Sequence, residues 1–340
     1  MSGGSYALDT DPRPGPLAAA VSVVRRHPLA ALGVVIALVA LWLGVREGWH
    51  ELAQSTLNGI VAGNYFALGA VGLTLIFGVL RLVNFAHGEF LTFGAYMLVA
   101  ANALELPLVI SALIGVVVTA GLALSLEVVL WRPVRRKRVG ELQLLLLALG
   151  LAYVMRYTIA FIAGPEDRAS GANVTAGVTI FGLRIGRTEL IVTLVGLAAI
   201  ALVALGLRYT SLGRQLRALS DSIELSETTG IDTDRIVLVT WAISGGLAGL
   251  AGIIYALPAG TVNPQLGFTL ILSIFAAVVV GGIGNAYGAL AGGMLIGVAQ
   301  EWSTLVIDPS MKVAVGFAVL ILVLLIRPQG LFGRARSVDR

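Results

Sequence analysis

The chain has 340 residues, of which 57% are hydrophobic and only 12% charged, with a mean hydropathy of +0.92. An ordinary soluble domain carries about 25% charged residues, so a chain this poor in charge cannot cover a globular surface with water-compatible groups and lipid must solvate much of it. The net charge of +4 would suit nucleic acid, but the charges lie in short clusters between apolar runs, as juxtamembrane Lys and Arg do, and the absence of cysteine excludes disulfides, thiolate metal sites and iron–sulfur clusters.

Residues 1–28 are polar and Pro-rich and end in Arg25-Arg26-His27-Pro28. No small-residue cleavage site follows the next apolar run, which reads as a retained membrane helix rather than a cleaved signal. About 20 apolar residues cross a bilayer, and candidate spans fall near 29–45, 54–80, 88–104, 107–130, 141–163, 189–207, 237–257, 268–283, 286–304 and 312–326. The expected fold is an all-α polytopic membrane protein of about ten transmembrane helices. With the N-terminus inside, 17 of the 23 Lys and Arg lie inside, five outside, and Arg156 within a span. Positive residues favour the cytoplasmic side, so the chain reads as N-in and C-in.

Residues 81–96 place Arg81, Asn84, His87, Glu89 and Thr92 between two apolar runs. Charge and irregular backbone survive in lipid only where protein or a water-filled cavity surrounds them. One reading is a break that feeds a transport path through Asn84, His87 and Glu89, with Asn263 and Asn285 as further polar groups. The other is a cytoplasmic turn, with Asn84 capping the next helix and Glu89 near its N-terminus, where the dipole favours an acid. His87 and Glu89 are two apart and share no helix face, so no metal site is expected. Arg156 suits a snorkelling or interhelical role better than contact with a substrate carboxylate.

The segment 164–188 is expected outside and 208–236 inside. The latter holds Gly213, Arg214, Arg217, Asp221 and Gly230, and an apolar stripe of Leu212, Leu216, Leu219 and Ile223 spaced for one helix face. Lying outside the membrane, that stripe is expected to lack a cover in its own chain and to dock on a partner protein or rest on the bilayer surface. Gly245 and Gly249, Gly288 and Gly292, and Gly293 and Gly297 are each four apart, a spacing that lets membrane helices approach closely. Gly282, Gly284 and Gly288 faintly mimic a dinucleotide loop, but no strand–helix context supports that reading. No catalytic constellation can be assembled. A stand-alone secondary transporter would call for paired buried acids, and before residue 131 only Glu89 and Glu127 lie near the spans.

The stretches NFAHGEFLTFGAY (84–96), GIDTDRIVLVTWAISGGLAGLAGIIYA (230–256) and VNPQLGFTLILSIFAAVVVGGIGNAYGALAGGMLIG (262–297), with the closing LILVLLIRPQGLFG (320–333), resemble the permease family of ATP-binding-cassette importers for branched-chain amino acids. The NFAHGE form is similar to the first of the two permeases that usually work as a pair. The resemblance covers roughly 52–333, leaving an N-terminal unit (1–50) with an extra helix, a permease domain (51–333) and a short cytoplasmic tail (334–340). It implies a multi-pass plasma-membrane subunit that binds no cofactor itself. The implied partners are a second homologous permease, two cytoplasmic ATPases that hold ATP and Mg, and an external solute-binding protein. It matches 211–231 to the ATPase-docking segment. It leaves the solute open among amino acids, urea and short amides.

The charge bias makes orientation testable. A reporter after Arg214 is expected to be cytoplasmic and one near Asp167 external; the opposite labelling contradicts the assignment.

Overall fold

The computed structural model describes residues 28–137, 139–172 and 177–333. The N-terminal tail through residue 27, Arg138 and the tail 334–340 lie outside the described residues. Twelve principal helices follow in order among the described residues: α1 (Pro28–Arg46), α2 (Trp49–Leu80), α3 (His87–Asn102), α4 (Leu108–Leu126), α5 (Glu141–Ala163), α6 (Arg187–Tyr209), α7 (Ser211–Asp221), α8 (Ile223–Thr228), α9 (Thr233–Ala259), α10 (Leu266–Gly281), α11 (Ala286–Ser303) and α12 (Lys312–Ile326). A π-helical turn (Glu127–Trp131) and a last α-turn (Arg132–Arg136) continue α4.

Each predicted span lies on one of these helices. Among the described residues, seven helical segments are long and apolar enough to cross a membrane: 29–46, 49–80, 108–136, 141–163, 187–209, 233–259 and 309–326. The other three, α3, α10 and α11, are 16, 16 and 18 residues long. At 1.5 Å per residue, α3 and α10 reach about 24 Å, short of a hydrocarbon core of about 30 Å.

These short helices form the centre of the molecule with α2, α9 and α11. α2 is buried over most of its length. Such all-round burial needs apolar or small residues on every face, and α2 supplies them. Its partner α11 packs along it through glycines: a Cβ at Gly63 would stand 2.8 Å from the Met294 Cα, and one at Gly293 would stand 2.5 Å from the Ala67 backbone. Helices α1, α5, α6 and α12 surround this centre with exposed Leu, Val, Ile and Phe, the composition a lipid-facing shell requires.

The two short helices meet at their N-terminal turns. The Gly267 amide donates to Thr92 Oγ1 at 2.9 Å, and a Cβ at Gly88 would lie 2.6 Å from the Gly267 carbonyl oxygen. His87 reaches the Gly69 carbonyl and Ser244 the Gly72 carbonyl, both in the interior of α2. α3 therefore begins partway through the bundle rather than at its surface. After α2 ends, the irregular segment 81–86 leads the chain from exposed Arg81 and Val83 to buried Asn84 and Ala86, and its inner residues are covered by protein as non-helical backbone at depth must be.

Four short strands among the described residues decorate the bundle. β1 (Arg168–Ala169) pairs antiparallel with β4 (Thr261–Val262), tying the 164–186 connection to the α9–α10 link. β2 (Gly177–Ile180) and β3 (Leu183–Gly186) form a hairpin whose two turn residues, Phe181 and Gly182, both have positive φ, as a type I′ turn demands. At the far end of α10, the amides of Leu331 and Phe332 donate to the carbonyls of Val280 and Gly281, folding the C-terminal segment onto the α10–α11 corner.

Close packing at glycine gives a test. At Gly249 a Cβ would meet the Thr119 Cβ at 2.9 Å, and at Gly292 it would fall on the Ala277 carbonyl. Gly249→Leu and Gly292→Leu are expected to cut the yield of folded protein in the membrane severalfold; wild-type yield and uptake in both contradicts the packing assignment.

Candidate functional site

Asn84, His87 and Glu89 come together at the break between α2 and α3, and all three are buried. The Asn84 side chain does not cap α3. Its Oδ1 accepts from the Ala86 amide at 3.1 Å, and its own carbonyl accepts from the His87 amide, so it forms a local turn that feeds the helix. His87 Nε2 lies 3.0 Å from the Gly69 oxygen. A carbonyl only accepts, so this nitrogen carries the proton.

Glu89 stands in the first turn of α3 and is 1% exposed. Arg156, on α5 and 6% exposed, donates from Nε and Nη2 to Glu89 Oε1 at 3.1 and 2.6 Å. The second carboxylate oxygen accepts from Thr92 Oγ1 at 3.5 Å, the same hydroxyl that accepts from Gly267 on α10. The guanidinium also stacks 4.4 Å from the Phe268 ring centre and 5.4 Å from that of Tyr153. One ion pair and one hydroxyl thus join α3, α5 and α10. A buried charge survives only when paired and hydrogen-bonded, and Arg156 and Glu89 meet that condition for each other.

An aromatic row continues from this point. His87 packs edge-on to Phe90, Phe90 edge-on to Trp241, and Trp241 stacks on Trp131 at 5.9 Å. Trp131 ends the π turn and Trp241 lies in α9, so the row links the start of α3 to α9 and the end of the π turn.

Asn263 and Asn285 lie elsewhere. They flank opposite ends of α10. Asn263 Oδ1 accepts from the Gln265 amide, and Asn285 caps α11 through the Gly288 amide while donating to the Phe332 carbonyl. The structure does not bring either to the break.

In the 211–231 segment, Thr210 caps α7 through the Gly213 amide. The expectation that its stripe lacks a cover in its own chain is corrected: Leu216 and Leu219 are 5% and 2% exposed and belong to the main core, with Leu212 packed against it. The helix folds back under the bundle, so the stripe finds α2, α6 and α9. Gly213 sits against the Leu207 carbonyl, where a Cβ would clash, and Arg217 donates to that same carbonyl. Arg214, Arg217 and Asp221 face out. Ile223 and Leu225 of α8 are also exposed, Leu225 at 65%. Gly230, at φ 82°, ends this segment in a left-handed turn.

Gly245 meets the Ala123 methyl, Gly288 the Gly281 carbonyl, and Gly297 the Gly63 amide; these lie in the helix contacts already described.

A family profile described as "Branched-chain amino acid transport system / permease component" matches residues 55–324. The chain belongs to this permease family. It is 32% identical over 302 residues to the high-affinity branched-chain amino acid transport system permease protein LivH of Escherichia coli strain K12, covering 85% of this chain and 97% of the relative. The corresponding protein BraD of Pseudomonas aeruginosa is 31% identical with the same coverage. LivM of Escherichia coli strain K12 is 27% identical, covering 92% of this chain and 76% of the relative. The permease is a transport component and a multi-pass protein of the plasma membrane. Its first helix, α1, precedes the matched region.

Thr92, Ser244 and the partner of Arg156 were not assigned from sequence. A lone acid and a lone base, each in apolar surroundings, were the available signal, since neither is tolerated there unpaired.

The pair predicts a coupled energetic response. Glu89→Gln and Arg156→Leu should each destabilise the permease by about 3–5 kcal/mol, because each strands a buried charge. The double variant should lie nearer either single than their sum in detergent unfolding. Additive losses contradict the pairing.

Proposed function

We propose that the permease is the membrane-spanning subunit of an ATP-binding-cassette importer for branched-chain amino acids, oriented N-in and C-in with about ten crossings. The observation that carries this reading is the match over 55–324 to branched-chain permeases, joined to a short helical unit, α7–α8, clamped to one end of the bundle with a charged outer face. Escherichia coli strain K12 has both a LivH and a LivM relative, which supports a second homologous permease as partner. Two ATPases would hold ATP and Mg, an external solute-binding protein would deliver the solute, and this chain would carry no cofactor.

In this reading Gly213, Arg214, Leu216, Arg217, Leu219, Asp221 and Gly230 serve ATPase coupling in two ways. Leu216 and Leu219 fasten α7 to α2, α6 and α9, and Gly213 lets it approach α6. Arg214, Arg217 and Asp221, with the exposed Ile223 and Leu225, form the docking face. A movement imposed on that face is transmitted because its inner side is part of the core. Such coupling requires that the face bind two ATPase states with different affinity. The break at Asn84, His87 and Glu89 is the part of the translocation path this chain contributes. Asn263 and Asn285 would act at its two ends. The glycines Gly245, Gly249, Gly288, Gly292, Gly293 and Gly297 hold the helices that frame it.

Separating the two faces tests this. In the tagged full complex, Ile223→Asp with Leu225→Asp should leave the permease inserted and folded while co-purified ATPase and ATP-driven uptake fall roughly tenfold. Leu219→Asp should instead reduce folded permease, since it buries an unpaired acid. Full ATPase retention and uptake in the exposed double variant contradict docking at this face.

A further inference from the structure

The basic run after the π turn has no part in the transport reading. It borders a surface pocket of about 560 Å³ lined by Val128, Arg132, Pro133, Arg136 and Lys137. Val128, Arg132 and Arg136 recur every four residues, so they form one face of the helix end. That face changes character along its length. Val128 and the neighbouring Val129 are exposed apolar residues of the membrane-crossing segment, and the cationic side chains begin one turn later, where the segment ends.

The charges are held in place and not neutralised. Arg135 forms a two-pronged ion pair with buried Glu127 inside the π turn. Arg132 pairs with Asp234 at the start of α9. Arg136 lies 4.0 Å from the same carboxylate, with its side chain 69% exposed. Among the described residues, four cations, Arg132, Arg135, Arg136 and Lys137, therefore face two acids, Glu127 and Asp234. The surplus belongs to Arg136 and Lys137 at the pocket.

We propose that this pocket binds the phosphate headgroup of an anionic membrane lipid, with Arg136 and Lys137 on the phosphate and Val128 against the start of an acyl chain. The pocket matches such a molecule in the order of its parts, apolar toward the bilayer and cationic at the end of the span. A free phosphate would use only the cationic half. Basic residues at a membrane surface each contribute to attraction for anionic lipid, and a guanidinium adds directional hydrogen bonds to phosphate oxygens.

The test is native mass spectrometry of the detergent-solubilised full chain, with phosphatidylglycerol, phosphatidylcholine or glycerol phosphate added at equal concentration. Phosphatidylglycerol should be retained over phosphatidylcholine, and Arg136→Gln with Lys137→Gln should reduce its retention roughly tenfold. Arg184→Gln with Arg187→Gln, an exposed basic pair elsewhere, should leave retention unchanged, and excess glycerol phosphate should not displace the lipid. The proposal is overturned if wild-type protein shows no preference for phosphatidylglycerol, or if the 136/137 variant retains it fully. Equal loss in both basic pairs, or displacement by glycerol phosphate, also overturns it.

Discussion

A chain that interrupts its helices inside a bilayer must supply from its own atoms every hydrogen bond and counter-charge that water would have given. Here the requirement falls on the junction of α2, α3 and α10. The segment 81–86 leads backbone into the bundle, where Asn84 accepts from the Ala86 amide, His87 meets the Gly69 carbonyl and Thr92 accepts from the Gly267 amide. Glu89 then favours the positive end of α3, as the helix dipole dictates, but a lone carboxylate at that depth is untenable. Arg156 completes it, and by doing so fixes α5, a helix with few other buried side chains, to the centre. Thr92 extends the same network to the first turn of α10. Three helices thus share one polar node.

Glycine sets how closely the elements around that node approach. Gly88 against Gly267, Gly94 against Gly249 and Gly252 against Leu91 bring backbones together where any side chain would hold them apart. Close contact replaces the hydrophobic drive that lipid does not provide between membrane helices. The result is a rigid centre, edged by apolar helices, with α7 fastened beneath it. A surface helix whose inner side is core can pass a displacement inward, whereas a helix floating on the bilayer could not.

Much of this was legible in the sequence because membrane crossing leaves a strong signal. Apolar runs of the required length located the helices, and Gly-x-x-x-Gly spacings marked faces that meet. The polar break before α3 was visible as an anomaly, but not its detail: Asn84 makes a local turn rather than a helix cap, and that turn lies inside the bundle. The stripe on α7 was read correctly as a face needing cover but assigned to the wrong surface. Periodicity reports that Leu216 and Leu219 are covered, not by what, and the return of α7 beneath α2 and α9 is a tertiary fact. The pairing of Arg156 with Glu89, 67 residues apart, is likewise set by topology. The stacked Trp131 and Trp241, and the strands that link 168–169 to 261–262, left no local trace.

The depth of the α2–α3 break carries the account, and the absence of native cysteine makes it directly measurable. Single cysteines replace Arg81, which is exposed, and Ala86, which is fully buried five residues later, and each is treated with a membrane-impermeant thiol reagent on both sides of sealed, inverted and right-side-out vesicles. The structure predicts that Arg81→Cys labels from one side only and that Ala86→Cys labels from neither until the protein is denatured. Labelling of Ala86→Cys as fast as Arg81→Cys would place the break in water at the bundle surface and contradict the account.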